Sequence, residues 1–528
     1  MYQINTLQQD LLIDSFYYLG PKRKEILETG WPLLFRSSLL EKIPVEEIKQ
    51  CFHDQIGRPT KELRTMLGAL LLQQMFDLTD EETLFQFCFN IGWQYALGLV
   101  SEEDGTKYLC ERTLRTYRTL VMERGIDQLL FRSLTDTLLD QLNISTRKQR
   151  LDSTHIRSEM RRLSRLELLR KTIAKFLTGM RREHIRLLTK KVEKELVERY
   201  LGEKNGYFSQ VKPSEAQGAL QQAAEDLFVL VETFRTHPKI KKMGVFGLLQ
   251  RVWNEQCNLT GGGDEAKVEM KDPKDVSSDC LQNPSDPDAG YSGHKGEGYH
   301  AQIMETYQDP KPEGNNVQPD LITYIDVEPA NVSDTETPPT AIAETQERGC
   351  APEELLADSL YGSDDNVQRA ADKGIELIAP TMGKPKSKES TLILDDFTVD
   401  EKTGEVSACP AGESPMEIRR GKEDGLKIYF DPATCETCDH RDYCSVGLNE
   451  EHKLEYTPKQ WRLAQRRVAE ESGEFREKYR WRSGIEALNA KLKRKMGIGR
   501  LRVRGLGRVR LAVTLKALGW NIFQAARA

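Results

Sequence analysis

The stretch YRWRSGIEALNAKLK, residues 479–493, reads as one amphipathic helix. At about 100° per residue, Tyr479, Arg482, Glu486 and Lys493 fall within a stripe about 60° wide. Trp481, Ile485, Leu488 and Leu492 gather on the other side, as in a helix that packs one face on a core. A carboxylate, two cations and a phenol are therefore held clear of the buried face. A Glu between an Arg and a Lys is ordinarily a solvated ion-pair stripe that contributes little. Here the surroundings are unusual: residues 479–528 carry thirteen Lys or Arg and a single acid, Glu486.

The whole chain has a net charge of −6, which by itself argues against a nucleic-acid partner. Its distribution reverses that argument. Residues 146–200 are also basic, and acids concentrate in 263–290 and 305–366. Local charge, not the sum, sets the field that phosphates meet. This favours a nucleic-acid partner over two merely solvated helical surfaces. The 528 residues allow roughly two to four domains. Hydrophobic content of 38% and charged content of 30% suit a soluble globular protein with long polar helices or insertions. No stretch approaches the ~20 apolar residues of a membrane span. The N-terminus MYQINTLQQD lacks the basic and apolar regions of a signal peptide. A cytoplasmic protein without membrane association is expected.

Residues 1–145 read as helical. Thr79 and Glu82 form a capping box before Leu84, Phe85, Phe87 and Cys88. Arg112, Arg115 and Arg118 recur every third residue and share a face, which suits a helix laid in a DNA groove or an ordinary wet face equally. KQRLDSTHIRS (148–158) alternates and carries β-branched residues, so it predicts a strand. Charged helix follows from about Met160 to Leu201, and more over 214–235. Residues 258–290, with GGG, DP and NPSDPD, predict a loop. HAQIMETY and LITYIDVEPA predict two strands, PEELLADSLYG a helix running into a strand end, and IELIAP another strand. Residues 383–460 read as loop-rich and 458–525 as helical. Strands alternating with helices predict an α/β domain with large insertions.

Phosphodiester chemistry on two divalent ions needs acids delivered from separate elements to one point. Three acids are candidates. Asp152 in Leu-Asp-Ser-Thr-His sits inside a strand, where Asp is disfavoured. Asp358 in Leu-Leu-Ala-Asp-Ser-Leu-Tyr-Gly-Ser ends an apolar run, at the carboxyl end where α/β sheets bind ligands; a helix cap is the plainer reading. Glu486 is the third. Asp326, Asp334 and Asp364 are rivals for the second position, and Asp286 and Asp288 read as solvated loop residues.

Taken together, these segments resemble the DDE-type transposases of bacterial insertion sequences. Tyr-x2-Arg-x3-Glu-x6-Lys matches the family's pattern around its last acid without a gap. LDST-H resembles the first-strand motif, and AD-S-x-Y-G-S-x-x-N, completed by Asn366, the second-Asp motif. Gly-His-Lys-Gly-Glu-Gly-Tyr-His (293–300), Ala-Asn-Val-Ser-Asp (330–334) and the Arg-x-Arg-Gly turn near 502–505 also resemble family segments. The resemblance is to the branch with a helical N-terminal domain and a Cys-containing insertion. It implies an α/β, ribonuclease-H-like mixed sheet with helices on both faces, an all-α N-terminal domain and large insertions. The implied domains are a helical DNA-binding domain at 1–145; a catalytic domain at 146–382 and 458–528, with a helical insertion at about 160–260; and a Cys-containing insertion at 383–457. It further implies catalytic Asp152, Asp358 and Glu486 holding two Mg²⁺ or Mn²⁺ ions. DNA would be contacted by Tyr479, Arg482, Lys493, Arg500, Arg502, Arg504, Arg112, Arg115 and Arg118. The partners would be double-stranded element ends and target DNA, with a homodimer in the DNA complex, in the bacterial cytoplasm at the nucleoid. A catalytically inactive DNA-binding derivative and a nuclease of the same fold are the alternatives.

Cys409 precedes Cys435-x2-Cys438-x5-Cys444. In a reducing compartment clustered thiols favour structural zinc over disulfides, with His440 as a substitute ligand. A metal-free or redox-sensitive loop is the rival reading. The other six of the ten Cys are scattered.

Overall fold

A computed structural model of the chain describes all residues except 1, 4–15, 17, 54, 58, 159, 161–162, 203–214, 262–266, 310–317, 383–390, 401 and 423. The N-terminal region is helical, as expected. Helix α1 (Leu63–Met75) is apolar around almost its whole circumference and is buried except at Arg64 and Gln74. Helix α2 (Asp80–Phe89) opens on the capping box, with Thr79 N–H donating to Glu82 Oε2 at 2.8 Å and Glu82 N–H to Thr79 Oγ1 at 3.2 Å. Of its apolar run Phe87 is buried, whereas Phe85 lies exposed. Helices α3 (Glu111–Arg124) and α4 (Ile126–Gln141) follow.

The sheet begins with β1 (Lys148–Arg157). A helical insertion follows, including α5 (Arg165–Glu183), α6 (Ala216–Phe234) and α7 (Gly244–Gln256), around its own core of Phe176, Phe234 and Phe246. Residues 258–290 are not all loop: Cys257–Thr260 and Lys267–Met270 pair as an antiparallel hairpin. The sheet resumes with β2 (Gly290–Ser292), β3 (Gly296–Thr306) and β4 (Ile322–Pro329). Helix α8 (Thr337–Glu347), β5 (Glu354–Ala357), α9 (Asp364–Ala371) and β6 (Glu376–Ile378) complete it. The expected helix over PEELLADSLYG is instead strand β5 followed by a short 3₁₀ turn at Ser359–Tyr361. An interior parallel strand buries both faces, so Leu355, Leu356 and Ala357 show no alternation to read.

Strand β1 is central. It pairs β3 antiparallel on one side and β5 parallel on the other. Strands β2 and β4 both pair β3, and β6 extends the parallel half beyond β5. Residues alternate between two cores. Ile303 and Ile325 face the helical side, and Met304, Tyr324 and Leu151 face α8 and α9. This is the mixed sheet with helices on both faces of a ribonuclease-H-like fold.

The expected opening of the Cys-containing segment, 383–390, lies outside the described residues. Beyond it, Glu417–Arg420, Leu426–Tyr429 and Lys453–Tyr456 form a small antiparallel sheet. Then come α10 (Pro458–Glu470), α11 (Gly473–Tyr479), a 3₁₀ turn at Arg480–Ser483, α12 (Gly484–Lys495) and α13 (Leu506–Ala525). The helix expected over 479–493 is thus 3₁₀ over Arg480–Ser483 and α from Gly484 onward. Arg150, from β1, reaches this junction and donates to the Trp481 carbonyl at 3.0 Å. Helix α13 is buried nearly all round, and one apolar cluster runs from α1 and α4 through α13 to β3 and β4.

Candidate active site

Asp152 lies within β1, and Asp358 follows the last residue of β5. The parallel register pairs Leu151 with Ala357, so the two acids occupy adjacent positions on neighbouring strands. Glu486 stands in the first turn of α12, whose Ile485, Leu488 and Leu492 are buried as the wheel predicts. The three acids meet at Arg482. Its Nη2 is 3.5 Å from Asp152 Oδ1 and 3.5 Å from Asp358 Oδ2, and its Nη1 is 2.8 Å from Glu486 Oε1. Burial alone would lower the basicity of this guanidinium; Asp152, Tyr479, Asp358 and Glu486 outweigh it and raise its pKa.

Burial pushes the Asp152 carboxyl up from its ordinary range; Arg482 opposes this and the charge of Asp358 adds to it. The exposure runs from sheltered to open, with side chains 14% accessible at Asp152, 40% at Asp358 and 63% at Glu486. Asn489, one turn beyond Glu486, donates to Asp152 Oδ2 at 3.2 Å and so ties the helix to the strand. Lys295 donates to Ser153 Oγ at 2.8 Å and lies near Asp334 Oδ2 at 3.4 Å. Lys493 has its ammonium pKa lowered by burial and by Lys295. Burial, Lys493 and Lys295 likewise depress the imidazolium of His155. A basic wall thus stands beside the acids.

The rival acids have other partners, and Asp334 also accepts from Ser153 Oγ at 3.1 Å, next to Asp152. Asp334 accepts from Gln302 Nε2 at 2.7 Å, Asp326 pairs Arg510 at 3.2 Å, and Asp364 pairs Arg462 at 2.6 Å. Asp286 is not solvated: it is buried and accepts from Ser158 Oγ at 2.7 Å, Tyr299 OH at 2.6 Å and Gly505 N–H at 2.9 Å. Its role is to hold the turn before α13. Asn366 is a framework residue, donating to Thr335 O at 2.7 Å and Tyr361 O at 3.1 Å.

Of the expected DNA contacts, Tyr479 is half-buried and stacks on Phe475. Arg500 bridges to Arg157 through the backbone, and Arg504 is exposed. Arg502 reaches toward Asp77 at 3.6 Å and Glu82 at 3.9 Å. On α3, Arg118 is bound to Asp80 and to Gln73, Arg115 pairs Glu111, and Arg112 is exposed. Cys409, Cys435, Cys438 and Cys444 line one small cavity. Among the described residues, no three acids, thiols or imidazoles stand as a ready ligand shell; at the acids, a guanidinium takes the central place.

Arg150, Asn489 and Lys295 have no role predicted from the sequence. Asn489 had a legible signal, since it lies three residues beyond Glu486 on the same side of a helix. Lys295 stands within the motif at 293–300. Arg150 had none, because a buried Arg on a strand is recognised only from its partners.

Residues 408–526 match a family described as a transposase DDE domain, and residues 24–114 match a transposase domain, DUF772. The first match includes Glu486 and the last four cysteines, and it excludes Asp152 and Asp358. The chain is 25% identical over 145 residues to an uncharacterized protein, ORF8 in the nfe locus of Rhizobium meliloti, covering 26% of this chain and 70% of that protein. No solved structure matches the chain. The match to a transposase DDE domain suggests a nucleic-acid-processing enzyme. The two family matches indicate an insertion-sequence transposase of the DDE type. Among the described residues, no helix is long and apolar enough to cross a membrane.

Proposed function

We propose that this protein binds the terminal inverted repeats of its element, cleaves DNA at the element ends and joins the freed 3′-hydroxyls to target DNA. Asp152, Asp358 and Glu486 are its catalytic acids. The observation that carries this reading is the Arg482 guanidinium, within 3.5 Å of all three carboxylates. Acids far apart in the chain share one cation, as they would share metal ions. An all-oxygen set of three carboxylates suits Mg²⁺ or Mn²⁺, so the residues fit that role. Two ions held there would activate the attacking oxygen and stabilise the leaving one.

The chain's own residues do the rest. Asn489 fixes one oxygen of Asp152. Arg482, exchanged from the acids to a DNA phosphate, offers a two-pronged donor, and Lys493 a point charge. Tyr479 adds a ring for stacking or a hydroxyl for a phosphate. Arg500, Arg502 and Arg504 approach the duplex backbone along a glycine-rich turn, and Arg112, Arg115 and Arg118 belong to the end-binding helical region 1–145. Residues 146–382 with 458–528 form the catalytic domain, and 383–457 the insertion. The active species is a homodimer on DNA, acting in the cytoplasm at the nucleoid.

The test is purified protein with Mg²⁺ on DNA carrying the element ends. Glu486→Gln and Asp152→Asn are expected to abolish nicking and joining while DNA binding persists. End binding without nicking, unchanged by Asp152→Asn, would establish an inactive DNA-binding derivative. Nicking without joining of pre-cleaved ends would establish a nuclease.

A further inference from the structure

The segment carrying the last four cysteines has a small core of its own: Phe397, Val406, Ile428, Phe430, Val446, Leu454 and Tyr456 with Cys444. Few buried side chains ordinarily call for a staple. Cys409 follows a short strand at Val406–Ala408, Cys435 lies in the helical turn Pro432–Glu436, Cys438 follows that turn, and Cys444 follows the turn Arg441–Tyr443. All four thiols nevertheless line one cavity, with Phe430 and Arg441 in its wall. The Cys435–Cys438 link is folded as a knuckle: Cys438 N–H donates to the Cys435 carbonyl at 3.3 Å, and His440 N–H donates to Cys438 Sγ at 3.5 Å.

We propose that Cys409, Cys435, Cys438 and Cys444 bind one structural zinc ion. The cavity is a meeting place for the sulfurs rather than a closed shell. Four thiolates at one place repel one another unless a divalent cation binds them together. Binding releases the four thiol protons, and the resulting zinc–tetrathiolate carries two negative charges. The Arg441 guanidinium is at hand to balance them. Four thiols already complete a tetrahedral shell, so His440, whose Nδ1 is engaged with the Tyr443 hydroxyl, is left outside it.

The inference rests on the thiols alone and is independent of the DNA reading. Full-length protein purified under reducing conditions without chelator is expected to contain one zinc per chain by elemental analysis. Replacement by Co²⁺ should give the intense thiolate-to-cobalt absorption of a four-sulfur site. The double substitution Cys435→Ser with Cys438→Ser should lose the metal, and His440→Ala should keep it. Wild-type protein with neither zinc nor a cobalt–thiolate band overturns the proposal, whatever the folding of the variants. Metal retained in the double variant, or alkylation without reductant revealing a disulfide among these four residues, also overturns it.

Discussion

Glu486 owes its position to a glycine two residues earlier. A Cβ on Gly484 would lie 1.8 Å from Nη1 of Arg150. That guanidinium is buried and committed, to Glu305 Oε1 at 2.7 Å, Asp320 Oδ2 at 3.3 Å and the Trp481 carbonyl at 3.0 Å. It has nowhere to withdraw. Gly484→Ala is therefore expected to destabilise the protein by about 1–3 kcal/mol, in the range of an overpacked core. It should also reduce cleavage more than DNA binding, because the displaced segment carries Arg482 and Glu486. Thermal unfolding alongside nicking and gel-shift assays checks both. Equal losses of cleavage and binding would show that the clamp serves stability alone. Asn489 acts at the same scale, as a side chain of α12 that donates to Asp152.

At the scale of elements, α4 carries an acid in an adverse setting. Asp127, in its first turn, is 3% exposed, and burial pushes its carboxyl up from 3.8 to about 6. Hydrogen bonds from its own N–H and from Gln128, and the charge of Arg510, only partly offset the burial. The folded state holds the proton more tightly than the unfolded chain. Its stabilising contribution is thus complete below pH 3.8 and is lost as pH rises through about 6. At neutral pH the buried carboxylate costs at most about 3 kcal/mol, because each tenfold change in proton affinity is worth ~1.36 kcal/mol. Asp127→Asn is expected to raise Tm at pH 7 and to flatten the fall in Tm between about pH 4 and 6. An unchanged pH profile would mean that another group sets it. The α11–α12 junction belongs to this scale too: the amphipathic stripe continues across it, the helix tightens to 3₁₀ over Arg480–Ser483, and Arg150 of β1 donates to its Trp481 carbonyl.

Over the whole molecule, the helical N-terminal region is joined to the sheet by the last helix. Lys516 of α13 is 1% exposed and donates to Asp77 Oδ1 at 2.7 Å and to the Gln74 carbonyl at 3.3 Å. Burial lowers its pKa, and Asp77 opposes that. Asp77 has a positive φ of 52°, a conformation that Asn also tolerates. Asp77→Asn leaves a buried ammonium without its carboxylate and is expected to cost about 2–3 kcal/mol. Adding Lys516→Met removes the stranded charge and should recover most of the loss. Chemical denaturation of the two variants checks this, and a double variant no better than the single one would refute the coupling.

The sequence by itself determined what local chemistry can carry. Helical periodicity assigned the buried face of α12, alternation assigned β1, and the spacing of Thr79 and Glu82 assigned a cap that the structure contains. Order and context of Asp152, Asp358 and Glu486 pointed to the transposase class. Tertiary structure alone decided the rest. An apolar run such as Leu355–Ala357 looks the same as a buried helix or an interior strand, and only its neighbours β1 and β6 make it a strand. Asp286 reads as a loop acid until Ser158, Tyr299 and Gly505, distant in the chain, supply its donors. That three acids share the cation of Arg482 follows from the parallel register of β1 with β5 and from the docking of α12. Such pairings depend on long-range closure, which leaves no period in the chain to be read.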